Sequence, residues 1–152
     1  MKAQQYAKLI ENCVLSCKFI DDKPRWPARF EIPDNNPNAL LWTDRISFQQ
    51  GMCLTIAEQA FFEDEELIER SFSYDFREEG TSKLIWRIDN HCRRQHVSCR
   101  CHVHDNPDDD EHRNQFFADS RSTIFPYAMR CVHNFFENRP QEWEEAHDVE
   151  IV

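Results

Sequence analysis

The chain has 152 residues, 40% of them hydrophobic, with twelve Phe and four Trp, so one domain can bury a core without a disulfide or metal staple. Only two glycines are present, Gly51 and Gly80, which excludes a nucleotide cofactor held by a Gly-rich phosphate loop. A formal net charge of -10 argues against nonspecific duplex binding by the whole surface, which needs clustered Lys and Arg, but leaves room for a local basic patch.

Residues 2–12 are good helix formers with Tyr6, Leu9, Ile10 and then Cys13 on one face, which predicts a short first helix. Val14 to Ile20 reads as a strand. Residues 21–38 hold Pro24, Pro27, Pro33 and Pro37 beside Asn35 and Asn36, a density of breakers that predicts an excursion loop. Period-two patterns follow. Leu40, Trp42, Ile46 and Phe48 alternate with Thr43, Arg45 and Ser47, and Gln50-Gly51 turns the chain into Met52, Leu54 and Ile56. A second predicted hairpin sets Ile68, Phe72, Tyr74 and Phe76 against Leu84, Trp86 and Ile88 across a turn at Glu78-Glu79-Gly80. Val97, Cys99, Cys101 and Val103 alternate with Ser98, Arg100, His102 and His104 as a further strand. An acidic loop spans 105–115. Apolar positions 125, 128, 129, 132, 135 and 136 have helical spacing, with Ser122 as a cap and Pro126 tolerated only in a first turn, so a second helix is expected from near Phe125. Residues after Glu137 read as a short helix and an acidic tail.

The expected object is an α+β domain over residues 1–138, with an acidic tail over 139–152. Its core would be an antiparallel meander of about five to six strands, with an N-terminal and a C-terminal helix packed on one face. The start of the chain has no apolar signal core, and no apolar run approaches the ~18–20 residues that span a bilayer. A cytoplasmic protein with no membrane association is expected. Seven cysteines, an odd number at scattered spacings, suggest buried thiols in a reducing compartment.

The stretch Trp86 to His104 concentrates chemistry: four of the seven histidines (His91, His96, His102, His104), Arg87, Arg93, Arg94 and Arg100, and one acid, Asp89. Side chains alternate across a sheet, so Arg87, Asp89 and His91 share one face of a strand, and Arg100, His102 and His104 share one face of its neighbour. With Trp86, Ile88, Cys99, Cys101 and Val103 turned to the helices, the polar sets converge on the open face. This donor set suits metal-independent RNA cleavage. Imidazoles titrate in the range that acid and base need, and guanidinium groups match phosphate oxygens. His91, His102 and His104 are the acid and base candidates, Arg87 and Arg100 the phosphate clamp, and Asp89 the carboxylate that orients an imidazole. Arg93 and Arg94 extend the basic set toward the substrate. No cofactor is expected.

Two other readings compete. His-x-His gives two imidazoles to one metal ion, which His91 with Asp89 or Glu58 could complete. Alternatively, the acidic loop and tail dock a basic partner and the domain is a noncatalytic binding module. Glu58, in the apolar run Thr-Ile-Ala-Glu-Gln-Ala, needs a buried partner, for which Arg45 and Arg70 are the candidates. Phe61-Phe62, Phe72, Tyr74, Phe76, Phe116-Phe117 and Phe135-Phe136 could stack bases, although such spacings more often build core.

The progression Gly51-Met-Cys-Leu-Thr-Ile-Ala-Glu58, Arg70-Ser-Phe-Ser-Tyr-Asp-Phe76, Leu84-Ile-Trp-Arg-Ile-Asp-Asn-His91 and His102-Val-His104 resembles the TumE-like family of small bacterial proteins over about residues 40–104. Where the family carries Ala-Pro-His-His after Asp-Asn, this chain has His91-Cys92-Arg93-Arg94, and Arg100 and Cys101 replace the Pro and extra His before His-x-His. The resemblance implies the toxin of a toxin-antitoxin pair, with a helix-turn-helix antitoxin as partner and RNA or translation as target. It also implies that Arg87, Asp89, Asn90, His91, His102 and His104 form the site.

Overall fold

The computed structural model describes residues 3–21, 30–64, 66–81, 83–90, 102–104 and 124–141, with the backbone alone at residues 30, 66–70 and 102. Helix α1 (Ala3–Leu15) is followed by strands β1 (Phe30–Glu31), β2 (Ala39–Phe48), β3 (Met52–Glu63), β4 (Glu66–Glu78), β5 (Leu84–Asp89) and β6 (His102–His104), then helix α2 (Ile124–Phe136). The six strands form one sheet in chain order, and every neighbouring pair is antiparallel. This is the expected α+β meander between two helices.

Alternation decides which face is covered. Leu40, Trp42, Ile46 and Phe48 of β2, Leu54, Ile56 and Phe62 of β3, Phe72, Tyr74 and Phe76 of β4, Trp86 and Ile88 of β5 and Val103 of β6 are all buried. Both helices cover this face. Tyr6 of α1 packs on Phe62 at 5.6 Å, and Phe125 of α2 meets Trp42 at 5.0 Å and Tyr74 at 5.5 Å. Phe135 stands edge-on to Phe76 at 5.1 Å, and Phe136 stacks on Phe19 at 4.7 Å. The aromatics singled out as base platforms are therefore core where they are described, except half-buried Phe61 on the open face. Phe116-Phe117 lies outside the described residues.

The turns follow backbone chemistry. Gln50 and Gly51 both take positive φ, 60° and 68°, so the β2–β3 turn needs a residue without a Cβ penalty at its end. No atom lies within 4 Å of where a Gly51 Cβ would stand, so the requirement is conformational rather than steric. Asp64 (φ 49°) serves the same purpose between β3 and β4. Asn138 (φ 54°) ends α2 in a left-handed cap, with Arg139 N–H donating to the Asn134 carbonyl at 2.8 Å.

Several expectations are corrected. Val14–Ile20 is not a strand: α1 runs on to Leu15 because Ala3, Tyr6, Ile10 and Val14 form one buried helical stripe, and only Ile20 makes a bridge, to Phe48. The Pro-rich segment is not wholly loop, since Phe30–Glu31 adds an edge strand to β2. α2, by contrast, begins at Ile124, next to the expected start at Phe125, with Pro126 in its first turn where no backbone N–H is required. The proposed cap Ser122, residues 97–101, the acidic loop 105–115 and residues 142–152 of the tail lie outside the described residues. No helix among the described residues is long and apolar enough to cross a membrane.

Candidate functional site on the open sheet face

The register of the sheet lines up two polar rows across its open face. In the first, Thr43, Ala57, Ser73, Asp89 and His102 are successive cross-strand partners from β2 to β6. In the second, Arg45, Thr55, Asp75, Arg87 and His104 are. Each row ends in a histidine. Directly paired residues lie about 4.5–5.5 Å apart, so Arg87, Asp89, His102 and His104 form a compact quartet at one edge of the sheet.

Within the quartet, His104 Nε2 is 3.5 Å from Asp89 Oδ2. Asp89 and His104 are only 4% and 9% exposed, which sets them apart from most polar side chains of this face. A carboxylate beside an imidazole in a poorly hydrated position fixes the orientation of the ring. Arg87 is tied down differently. Its Nε and Nη2 donate to Asp75 Oδ1 and Oδ2 at 2.6 and 3.0 Å, the bidentate fork that suits guanidinium to carboxylate. Arg77 Nη2 adds a third hydrogen bond to Asp75 at 3.0 Å.

Asp75 is the residue that sequence reading missed. Its carboxylate neutralises part of the Arg87 charge and holds the guanidinium opposite His104. Burial pushes the Asp75 carboxyl up, but the hydrogen bonds and charges of Arg87 and Arg77 outweigh it and hold the group below its usual range. Counting back from the 78–80 turn would have found it, except that a bulge between Phe76 and Arg77 shifts the register there. Because the folded carboxyl is the stronger acid, its stabilisation is complete above about pH 4, the unfolded value, and is lost as pH falls through the depressed folded value. Asp75→Asn is expected to lower stability at pH 7 by about 1 kcal/mol. Urea unfolding at pH 7 and pH 3 should show that gap shrinking in acid; a constant gap would mean the charge is irrelevant.

Asn90, expected at the site, closes the strand pair. Its Oδ1 accepts the Phe72 N–H at 2.9 Å and its own N–H donates to the Phe72 carbonyl. This clasp fixes the point where the chain leaves β5 toward His91. His91, Arg93, Arg94 and Arg100 lie outside the described residues, and His102 is placed by its backbone register alone. Cys92, Cys99 and Cys101 are also outside, while Cys17, Cys53 and Cys131 are buried thiols and Cys13 is half-buried.

Glu58 belongs to the other face. It is 3% exposed and accepts hydrogen bonds from Tyr6 Oη and, at 2.5 Å, from Tyr74 Oη. The expected ion pair with Arg45 does not form, because Arg45 lies on the open face and reaches Glu79 at 3.2 Å and Cys53 Sγ at 3.6 Å. Arg70's side chain is outside the described set. Facing the helices, Glu58 also cannot complete a metal site with His104. Among the described residues no group of three or more His, Cys, Asp or Glu side chains is placed to hold a metal ion.

No curated protein and no solved structure matches the chain. A family model described as Toxin TumE matches residues 17–132, a span that takes in all six strands, the Arg87/Asp89/His102/His104 quartet and most of α2. That match covers well over half of the sequence, and the chain belongs to the TumE toxin family.

Proposed function

We propose that the chain is a metal-independent ribonuclease, toxic through RNA cleavage at the open sheet face. The observation that supports it most is the meeting of Arg87, Asp89, His102 and His104 at one sheet edge, with the Asp89 carboxylate beside the His104 ring. In this reading one imidazole removes the proton of a ribose 2′-hydroxyl, whose oxygen attacks the adjacent phosphorus. The bond from phosphorus to the 5′-oxygen breaks, a second imidazole protonates that oxygen, and a 2′,3′-cyclic phosphate is left. His102, His104 and His91 are the acid and base groups. Asp89 orients the His104 ring through Nε2 and leaves Nδ1 for proton exchange, as a carboxylate does for a catalytic histidine. Arg87, with Arg93, Arg94, Arg100 and Asn90 following in sequence, meets the phosphate oxygens and stabilises the phosphorane charge.

Membership of a toxin family implies a cognate antitoxin. A helix-turn-helix protein encoded alongside, a cytoplasmic location and an RNA target complete the proposal. Induced expression in a bacterial host is expected to arrest growth, and His102→Ala with His104→Ala to relieve the arrest at equal protein level. Equal arrest by the double variant would remove the catalytic assignment.

A further inference from the structure

The open face carries a second feature, away from the histidines. A groove of about 380 Å³ lies over the β1–β4 end of the polar rows, bordered by Glu31, Leu41, Thr43, Ala57, Gln59 and Ser71. That volume is at the low end of the ~300–1,000 Å³ of small-ligand clefts. Its chemistry differs from that of the quartet. Among the described residues the border has no Lys, Arg or His, and the Glu31 carboxylate repels a phosphate. It offers an apolar patch from Leu41 and Ala57, a carboxamide at Gln59, hydroxyls at Thr43 and Ser71 and an exposed carboxylate at Glu31. An apolar patch ringed by neutral hydrogen-bonding groups suits a flat heteroaromatic ring, and a carboxylate at its rim suits a ring with amino donors.

The groove and the quartet share a row of the sheet. Ala57 pairs with Ser73, and Ser73 with Asp89. At ~4.8 Å per strand, Ala57 and Asp89 are about 10 Å apart on the same face. Only the small side chain of Ser73 stands between them in that row.

We propose that this groove is a base-binding subsite, which takes an unpaired, amino-bearing nucleobase of the RNA next to the nucleotide being cleaved. The inference rests on the ribonuclease reading for its substrate class. It adds that single-stranded RNA is the form bound, since a paired base cannot lie flat on the sheet and present its edge to Glu31 and Gln59. Guanine, adenine and cytosine are accepted, and uracil, which has no amino group, is disfavoured.

The test is binding, not cleavage, so it is independent of the chemistry at the histidines. The full chain is titrated with 2′-O-methyl RNA tetranucleotides, which cannot be cut, in an all-guanine, an all-uracil and a singly abasic version. Wild-type protein is expected to bind the guanine tetramer about tenfold more tightly than the uracil or abasic ones. Ala57→Trp, which fills the groove from an exposed position, should weaken the guanine tetramer about tenfold and erase the penalty of the abasic site. Gln59→Ala, a smaller change, should lose part of the guanine preference, and the melting temperatures of both variants report whether they fold. Binding by wild type and Ala57→Trp with the same preference, or no binding by wild type, would overturn the subsite. So would an Ala57→Trp protein that loses only its antitoxin, which would make the groove a protein interface. If the tetramers bind as expected but no RNA is ever cut, the ribonuclease reading fails and the subsite stands.

Discussion

On the ribonuclease reading, His104→Ala is expected to lower the rate of RNA cleavage by about 10²–10⁴-fold, the usual contribution of a positioned acid or base. The ring is 9% exposed and lies within ion-pair distance of Asp89, so no solvent species can occupy its place with the same orientation. Asp89→Asn should cost less. It keeps the shape and a hydrogen-bonding atom and removes only the charge beside the ring. Initial rates on a fluorogenic RNA read both effects. A His104→Ala protein within threefold of wild type would dismiss His104 from the chemistry, and an unchanged rate in Asp89→Asn would reduce Asp89 to packing.

The second large effect is on stability and lies on the opposite face. Glu58→Ala leaves the Tyr6 and Tyr74 hydroxyls without the carboxylate that accepts from both. A hydrogen bond to a charged group contributes about 1.5–3 kcal/mol, so losing two costs about 3–6 kcal/mol, a large share of the ~5–15 kcal/mol that holds a domain together. Tyr6 lies on α1 and Glu58 on β3, so the same change loosens the first helix from the sheet. Glu58→Gln keeps the volume and one carbonyl acceptor, and the hydroxyl facing its amide can turn to accept instead, so it should lose less than half as much. Urea unfolding monitored by tryptophan fluorescence measures the series. A Glu58→Ala protein within 0.5 kcal/mol of wild type, on the scale of ordinary surface changes, would contradict the account.

Much of this arrangement is legible in the sequence because alternation constrains it twice. The apolar members Trp86, Ile88 and Val103 select the helix face, and Arg87, Asp89, His102 and His104 must then share the other. What escaped reading depended on partners far along the chain. Val14 looks like the start of a strand until Ala3, Tyr6 and Ile10 show it to be the last member of a helical stripe. Phe30–Glu31 is a strand only because the edge of β2 is there to pair with it. Asp75 sits in an ordinary polar position of β4, and only the bulged register across to Arg87 gives it a role. Charge alone points Glu58 to an arginine. Yet Arg45 pairs with Thr55, an odd three residues before Glu58 on β3, which turns the two side chains to opposite faces. Tyrosines from β4 and α1 met the carboxylate instead.

The most direct measurement of the central claim is the chemistry of the ends that the purified protein leaves on RNA. Synthetic single-stranded RNA is incubated with the full chain in EDTA, and the fragments are weighed by mass spectrometry. The account predicts fragments ending in 2′,3′-cyclic phosphate, with new 5′-hydroxyls, and no such fragments from the His104→Ala protein. Intact RNA, activity that EDTA abolishes, or fragments with 5′-phosphates would contradict a metal-independent attack by the 2′-hydroxyl at the open sheet face.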